Sequence, residues 1–282
     1  MLEFQNVSYV YGANTPFEKM ALKDVSFKIE KGKVTGLIGH SGSGKSTIAQ
    51  LMNALYKPSE GKVLLGGEDI NKDAKTSHAA RFRVGLVFQY PEYQLFEETV
   101  RADISYGPRN MGLSEEQIKE RVEFAARFTG LSEEMLERSP FELSGGQKRR
   151  CAIAGVIAMD PEVLVLDEPA AGLDPKGRSE ILGGLMDYRR KRGNSLVIIS
   201  HSMEDIAEYS DNIIAMSKGE VLCKGTPHEV FSQYDKLYES GLALPEVTEV
   251  MHRLSVEGAD INPALYTVDE AFDELLPRLR RK

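Results

Sequence analysis

The chain has 282 residues, of which 41% are hydrophobic and 28% charged, and its net charge is −8. This composition is typical of a globular protein with a substantial core, long enough for one domain of about 200 residues and a smaller appendage. Lysine and arginine do not cluster as they do in nucleic-acid-binding proteins, and no apolar run reaches the roughly 20 residues of a membrane-spanning helix. We therefore expect no nucleic acid partner, and work at a membrane would require another chain as the anchor.

Short apolar runs alternate with helical patterns along most of the chain. The predicted strands are 2–10, which we expect at a sheet edge, then 25–30, 34–38, 62–65, 84–88, 163–166 and 196–200. The predicted helices are 44–55, 114–128, 144–158 and 175–191; a capping box at Ser114 and Gln117 begins the second of them. This alternation predicts an α/β fold with a parallel sheet covered by helices on both faces.

The character of the sequence changes after residue 226. Residues 227–282 carry helical patterns without a strong strand, interrupted at Gly241–Pro245. We predict a domain boundary near 226, and we interpret the basic tail Arg278–Lys282 as a solvated end.

A glycine-rich loop lies between a predicted buried strand and a predicted helix. It has the pattern Gly-x4-Gly-Lys-Ser, in which glycines let backbone N–H groups surround phosphates at a helix N-terminus. Lys45 is predicted to reach the β- and γ-phosphates of a nucleotide, and the Ser46 hydroxyl to bind Mg²⁺. The predicted binding residues of the loop are Gly39, His40, Ser41, Gly42, Ser43, Gly44, Lys45, Ser46 and Thr47.

Two acidic residues follow the buried strand 163–166. A carboxylate at the carboxyl end of a parallel strand lies near the phosphate loop, so we predict that Asp167 helps to hold Mg²⁺. Glu168 is the predicted general base, which would polarise the attacking water. The alternative is that both acids only end a strand and cap a helix.

A second helix N-terminus follows the sequence Leu-Ser-Gly-Gly-Gln. Its predicted anion-binding residues are Ser144, Gly145, Gly146 and Gln147. One triphosphate does not need two such sites from one chain. We therefore predict that this segment completes a site on another subunit, although the segment taken alone favours a well-capped helix.

These residues together resemble the ATP-binding subunits of ATP-binding-cassette (ABC) transporters, over about residues 2–226. The resemblance implies a phosphate-loop ATPase fold with a mixed sheet core, an antiparallel β subdomain and a helical signature subdomain at about 90–160. It also implies a small, mainly helical C-terminal domain at 227–282 and the cofactors ATP and Mg²⁺.

The resemblance also assigns roles to four further residues. Tyr11 would stack on adenine, Gln89 would contact Mg²⁺ and the water, Asp174 would lie at a dimer interface, and His201 would contact the γ-phosphate. Each has a plainer alternative: Tyr11 packs on the sheet, Gln89 ends a strand, Asp174 caps a helix, or His201 is structural.

The segment Phe88–Val100, with Thr15–Glu18 and Gly241–Pro245, is similar to the ATPases of energy-coupling factor (ECF) transporters, in particular the second, A-prime type. These importers take up vitamins, related micronutrients, or cobalt and nickel ions. The expected partners are a sister ATPase in a heterodimer, with a homodimer as the alternative, and a transmembrane scaffold contacting residues 90–100. A separate membrane protein would bind the substrate. The expected location is peripheral, on the cytoplasmic side of the cell membrane.

Other functions share these motifs. A conventional ABC importer subunit differs only in residues 90–100 and the tail. ABC ATPases acting on DNA or ribosomes carry long coiled coils, second cassettes or zinc modules, and none is evident here. An inactive regulatory cassette would lack Lys45, Glu168 or His201, and all three are present.

Cys151 and Cys223 lack metal-ligand spacing, and no secretory signal precedes them, which predicts a reducing compartment. The individual roles of the two cysteines, and that of His40, stay open.

Overall fold

The computed structural model describes residues 1–279, so the end of the basic tail, 280–282, lies outside the described residues. The strands are β1 Leu2–Tyr11, β2 Lys19–Ile29, β3 Val34–Gly39, β4 Glu60–Leu65, β5 Glu68–Asp69, β6 Val84–Val87, β7 Val163–Asp167, β8 Ser195–Ile199, β9 Asn212–Ser217 and β10 Glu220–Gly225. The helices are α1 Lys45–Met52, α2 Ala74–Arg83, α3 Val100–Asn110, α4 Glu115–Thr129, α5 Glu133–Leu136, α6 Gly145–Ile157, α7 Pro175–Arg192, α8 Met203–Tyr209, α9 Pro227–Phe231, α10 Tyr234–Glu239, α11 Glu246–Val256 and α12 Val268–Leu279. Short 3₁₀ helices lie at Pro91–Gln94 and Pro140–Glu142.

The central sheet has six strands in the order β10-β9-β3-β8-β7-β6. Strands β9, β3, β8, β7 and β6 run parallel to one another, and β10 pairs antiparallel with β9. The predicted α/β fold with a mixed sheet core is confirmed. Because parallel strands share a direction, the carboxyl ends of β3, β6, β7 and β8 meet at one edge of the sheet.

A second sheet is antiparallel, with the order β2-β1-β4-β5, and it forms the expected β subdomain. The prediction that β1 is an edge strand is wrong, because Leu2 lies opposite Ile29 of β2 on one side and Leu65 of β4 on the other. Leu2, Phe4 and Val7 alternate with polar residues, and this pattern reports only that one face is buried. The number of neighbouring strands leaves no comparable mark in a strand's own sequence.

The central sheet separates two apolar clusters, because its side chains alternate between its faces. On one face Leu37, Val165 and Val197 pack with α1 and the antiparallel sheet. On the other face Ile38 and Leu166 pack with the helices between residues 100 and 157 and with α7 and α8. The prediction of cover on both faces is confirmed, although one side is covered largely by the second sheet.

The helical subdomain is built from α3, α4 and α6, which pack against one another. The predicted capping box is present: Gln117 N–H donates to Ser114 Oγ at 3.4 Å, and Ser114 N–H donates to Gln117 Oε1 at 3.0 Å. The predictions for α1, α4, α6 and α7 agree with the structure to within three residues at each end. Helices α2, α3, α5 and α8 and strands β5, β9 and β10 were not predicted.

Helices α9 to α12 follow residue 226, and no strand follows β10 within residues 1–279. Thr226 caps α9 through a capping box with Glu229, so the C-terminal helices begin at the residue where the sequence pattern changes. Phe231, Leu237 and Leu242 are nevertheless buried in the same apolar cluster as the cassette helices. The division into two domains therefore stays a prediction. Within the described residues, no helix is both long and apolar enough to cross a membrane.

Two adjacent glycines on α7 provide a test of the packing between α7 and α4. A β-carbon at Gly184 would overlap the backbone carbonyl of Phe128, whereas a β-carbon at Gly183 has open space around it. We expect Gly184→Ala to lower the free energy of unfolding by about 1–3 kcal/mol, because the backbone must shift. Gly183→Ala should raise it by about 0.5–1 kcal/mol, since alanine is the better helix former. Urea titration measures both, and equal effects would contradict the packing described.

Candidate functional site

The glycine-rich loop runs from the end of β3 into α1. Lys45 is buried, and its Nζ donates to the carbonyls of Gly39 at 2.6 Å and His40 at 3.1 Å. Gly44 precedes α1 with φ +105° and provides no side-chain cap, so the first N–H groups of the helix face the loop. A β-carbon at Gly44 would also lie 2.5 Å from the Leu22 side chain. The loop therefore has the geometry of an anion-binding helix N-terminus.

Asp167 ends β7 beside this loop. Its Oδ2 accepts a hydrogen bond of 3.0 Å from Ser46 Oγ, in the first turn of α1. Burial raises the pKa of Asp167, an effect that the Ser46 hydrogen bond and the Lys45 charge oppose. Two adjacent oxygen ligands fit Mg²⁺, which usually takes few protein ligands and completes its shell with water and substrate phosphates. No group of three or more His, Cys, Asp or Glu residues suited to a metal occurs within residues 1–279.

Glu168 is held in a conformation that is unusual for its residue type. Its φ is +53°, and its N–H donates to Ile199 O at 2.9 Å. Oε1 is buried without a hydrogen-bond partner among the described residues, and His201 Nε2 lies 3.8 Å from it. Burial, with the Asp167 charge as a smaller cause, raises the pKa of Glu168. Such strain and burial are typical of functional carboxylates.

His201 follows β8 at the same edge of the sheet. Its side chain is 55% exposed, and partial burial together with the Lys45 charge lowers its pKa, which favours the neutral imidazole. Tyr11 comes from β1, and its hydroxyl lies 3.0 Å from Thr47 Oγ1 of α1. Its ring meets those of Tyr9 and Tyr56 edge-on. Tyr11 therefore packs on the sheet and also faces the loop.

These side chains surround one cavity of about 280 Å³, which we call the phosphate-loop cleft. Eleven predicted site residues line it: Tyr11, Ser41, Gly42, Gly44, Lys45, Ser46, Thr47, Gln89, Asp167, Glu168 and His201. Of the other loop residues, Gly39 and His40 supply the carbonyls that Lys45 contacts, and Ser43 is fully buried. The cleft is also lined by Lys19, Met20 and Ala21 of β2, which sequence analysis missed. No local motif marks them, because β2 reaches the cleft only through the packing of the two sheets.

The Leu-Ser-Gly-Gly-Gln segment lies elsewhere in the chain. Gln147 N–H donates to Ser144 Oγ at 3.3 Å, and Ser144 N–H donates to Gln147 Oε1 at 2.9 Å, so Ser144 caps α6 as predicted. Asp174 Oδ1 accepts from Gly177 N–H at 2.9 Å and caps α7. Among the described residues, neither Ser144–Gln147 nor Asp174 lines the phosphate-loop cleft.

A second cavity, of about 390 Å³, lies beside the segment of residues 90–100, which we call the coupling segment. Leu95 and Phe96 line it together with Phe82, Tyr106 and Met159. Phe96 is 58% exposed and meets Tyr106 edge-on, with ring centres 5.0 Å apart. The side chain of Asp103 also lines the cavity and accepts from the N–H groups of Phe96 and Glu97. The result is a largely apolar groove, with Asp103 and Arg81 as its charged lining residues.

The cleft and the fold define an ABC-type ATPase cassette, and the comparisons with known proteins agree. The family model described as "ABC transporter" matches residues 22–171, which is more than half of the chain. This chain belongs to the ABC transporter ATP-binding family.

Within that family the chain is similar to one kind of subunit over its full length. It is 49% identical over 279 residues to the energy-coupling factor transporter ATP-binding protein EcfA2 of Caldanaerobacter subterraneus, covering 99% of this chain and 98% of that protein. It is 48% identical over 282 residues to the protein of the same name from Clostridium tetani, covering 100% of this chain and 98% of that protein. The resemblance to the second ECF ATPase is confirmed.

Two solved structures are similar as well. CbiO1 from Clostridium perfringens, described as part of the ABC transporter complex cbiONQ, shares 38% identity with a TM-score of 0.75, covering 89% of this chain and 98% of that one. The ATP-binding cassette MJ0796, described as a dimer bound to ADP and Pi, shares 28% identity with a TM-score of 0.73. That match covers 80% of this chain and 98% of that one.

The burial of Glu168 predicts a pH-dependent cost to stability in the absence of nucleotide. Because burial raises its folded-state pKa above the usual 4.5, the folded protein loses stability as pH rises through the interval between 4.5 and the raised pKa. We expect Glu168→Gln to raise the melting temperature at neutral pH, and this gain should shrink as the pH falls toward 4.5. Thermal melts across this pH range measure the effect.

Glu180→Gln is the matched control. Arg150 hydrogen-bonds Glu180 and lowers its pKa, so this carboxylate favours the folded state at neutral pH. Its substitution should lower the melting temperature slightly at neutral pH, and the loss should vanish in acid. Shifts of the same sign for both variants would contradict the burial cost assigned to Glu168.

Proposed function

We propose that this chain is the ATP-hydrolysing subunit, of the second or A-prime type, of an ECF-type importer. The observation that carries the proposal is the convergence of Lys45, Ser46, Asp167, Glu168 and His201 on one cleft. The full-length similarity to ATP-binding proteins named EcfA2 supports the ECF type. A conventional ABC importer subunit would share the cleft, but the similarity does not favour it.

Each side chain of the cleft has a role that follows from its position. Lys45 and the N–H groups of α1 bind the β- and γ-phosphates of the substrate ATP. Tyr11 packs on the adenine. Glu168 accepts a proton from the attacking water, and its raised pKa makes it a stronger base. His201 and Gln89 hold the γ-phosphate and the water in place.

Mg²⁺ would be held by Ser46 and Asp167, with Gln89 nearby, and would neutralise charge on the phosphates. This assignment is supported by the 3.0 Å approach of the Ser46 hydroxyl to the Asp167 carboxylate, where two oxygen ligands already lie together. Lys45, the buried cation at the same edge of the sheet, would offset the negative charge of Asp167 and Glu168 before nucleotide binds.

Two cassettes act together, head to tail. Residues Ser144–Gln147 of one chain complete the phosphate-loop cleft of the other, and Asp174 lies at the interface between them. Their location outside the chain's own cleft supports this arrangement. The second chain is a sister ATPase, with a second copy of this chain as the alternative. Closure brings fixed N–H dipoles onto the γ-phosphate, so that hydrolysis requires the dimer.

The coupling segment binds a transmembrane scaffold, and a separate membrane protein binds the cargo. The apolar groove beside Phe96, with Glu97 and Glu98 next along the chain, suits a short helix that carries apolar and basic residues. The chain is then peripheral, on the cytoplasmic side of the membrane. The cargo belongs to the class of vitamins, related micronutrients, or cobalt and nickel ions. Residues 227–282 form a C-terminal domain that adds contacts between the two ATPases.

Glu168→Gln tests the role of the general base. We expect ATP hydrolysis by the purified pair of ATPases to fall by about 10²-fold or more, because proton transfer from the attacking water is lost. ATP binding should persist, since the amide has the same shape, and the ATP-bound dimer should accumulate. Steady-state turnover and size-exclusion chromatography with ATP measure these outcomes. Hydrolysis at the rate of the unmutated chain would refute the assignment.

Phe96→Ala tests the coupling segment. Phe96 is exposed and lines the groove, so its loss should weaken binding to the transmembrane scaffold by about 10-fold or more, as for an interface hot spot. Charge reversal at Glu97 and Glu98 should act in the same direction and become weaker at high salt. Leu55→Ala, at an exposed apolar residue after α1 and outside the proposed interfaces, is the control. Undiminished assembly with the scaffold would refute this surface.

A further inference from the structure

Arg149 on α6 is a buried arginine that joins three separate parts of the chain. Its side chain is 4% exposed and forms a two-point ion pair with Glu92, in which Nη2 donates to Oε1 at 3.0 Å and Nε donates to Oε2 at 3.2 Å. Glu92 belongs to the 3₁₀ helix Pro91–Gln94 within the coupling segment. The guanidinium therefore holds the coupling segment to the helix that begins at Ser144.

The same guanidinium also contacts the loop that follows Glu168. Arg149 Nη1 donates to the carbonyl oxygen of Ala171. Ala171 N–H in turn donates to the carbonyl of Glu168 at 3.2 Å, so the contact lies one turn away from the proposed general base. Arg149 thus connects the groove side of the molecule to the backbone that carries Glu168.

The third connection is the helix itself. Arg149 lies in the second turn of α6, two residues after Gln147, and the capping box of Ser144 and Gln147 fixes the start of the helix. A planar guanidinium with two parallel bonds to one carboxylate and a third to a carbonyl fixes direction as well as distance. A shift of Glu92 that keeps this ion pair therefore displaces the guanidinium, and with it α6 or the Ala171 backbone.

We propose that Arg149 is a positioning residue that transmits movement of the coupling segment to both catalytic halves of the cassette. Through Ala171 it sets the backbone of Glu168 in the chain's own cleft. Through α6 it sets the Ser144–Gln147 cap that is presented to the partner's nucleotide. This inference rests on the proposed function, since it requires a scaffold bound at the coupling segment. It adds the specific pair, Glu92 and Arg149, through which scaffold binding alters hydrolysis.

A purely structural role is the competing explanation, because removing one partner of a buried ion pair also destabilises a fold. The two explanations differ in what they affect. Loss of folding lowers the amount of active protein, and kcat falls in the same proportion with and without the scaffold. Loss of transmission changes the ratio of kcat in the scaffold-bound complex to kcat of the free ATPase pair. KM for ATP changes less than this ratio, because Arg149 does not itself line the phosphate-loop cleft and affects ATP binding only through the position of Ser144–Gln147.

The test compares ATP turnover by the free ATPase pair with turnover by the full complex in lipid nanodiscs. We expect Arg149→Gln to reduce the ratio of the two kcat values at least fivefold toward one, and to change KM for ATP by a smaller factor. Arg149→Lys, which keeps the charge but loses the two-point geometry, should give an intermediate ratio. Glu92→Gln combined with Arg149→Gln should be no worse than Arg149→Gln alone, since both changes remove the same connection.

Arg150→Gln is the matched control. Arg150 is the next residue on α6, and it pairs with Glu180 of α7 instead of with the coupling segment. We expect this variant to keep the ratio of the unmutated chain, even if its melting temperature falls as far as that of Arg149→Gln. An unchanged ratio in Arg149→Gln, or an equal loss in Arg150→Gln, would overturn the inference. A ratio of one in the unmutated complex would instead count against the proposed function.

Discussion

The hydrogen bond between Ser46 and Asp167 is the contact on which the rest of the site depends. It joins the first turn of α1 to the end of β7, across a sheet in which β8 separates β7 from β3. It can form only if these three strands run parallel and end at the same level, because α1 begins directly after β3. Because β7 and β8 end at the same edge of the sheet as β3, the residues that follow them lie beside the phosphate loop. Glu168 and His201 therefore reach the same cleft as the phosphate loop.

The sequence predicted well what is contiguous along the chain. A buried strand, a glycine-rich turn and a helix start are adjacent in residues 34–52, and Asp167 and Glu168 directly follow their strand. What it could not predict depends on segments that meet only after folding. The central position of β1 is set by its partners β2 and β4, and Lys19–Ala21 reach the cleft through packing between two sheets. Glu92 and Arg149 are 57 positions apart, and neither belongs to a pattern that identifies its partner.

Two residues near the phosphate-loop cleft and the coupling segment have a left-handed backbone conformation, which is strained for any residue other than glycine. Glu168 has φ +53° and Tyr90 has φ +56°, and each lies within three residues of the end of a buried parallel strand, β7 or β6. Such a conformation costs an ordinary residue about 1–2 kcal/mol, so other contacts must hold it in place. For Glu168 the bond from its N–H to Ile199 O and the bond from Ala171 N–H to its carbonyl do so. The sharp turn after β7 places Glu168 in the cleft, and the turn after Tyr90 begins the coupling segment.

The starts of α1 and α6 differ in a way that explains why, on our proposal, one chain is only half of a site. Helix α1 begins at Gly44 without a side-chain cap and faces the cleft, so its first N–H groups can bind an anion. Helix α6 begins at an exposed Ser144, whose capping box with Gln147 satisfies two of its N–H groups. The chain is thereby stable with this segment on its surface, while the first-turn N–H groups at Gly145 and Gly146 stay available. On our proposal a second cassette's ATP uses them, and Arg149, one turn further along α6, makes their position depend on the coupling segment.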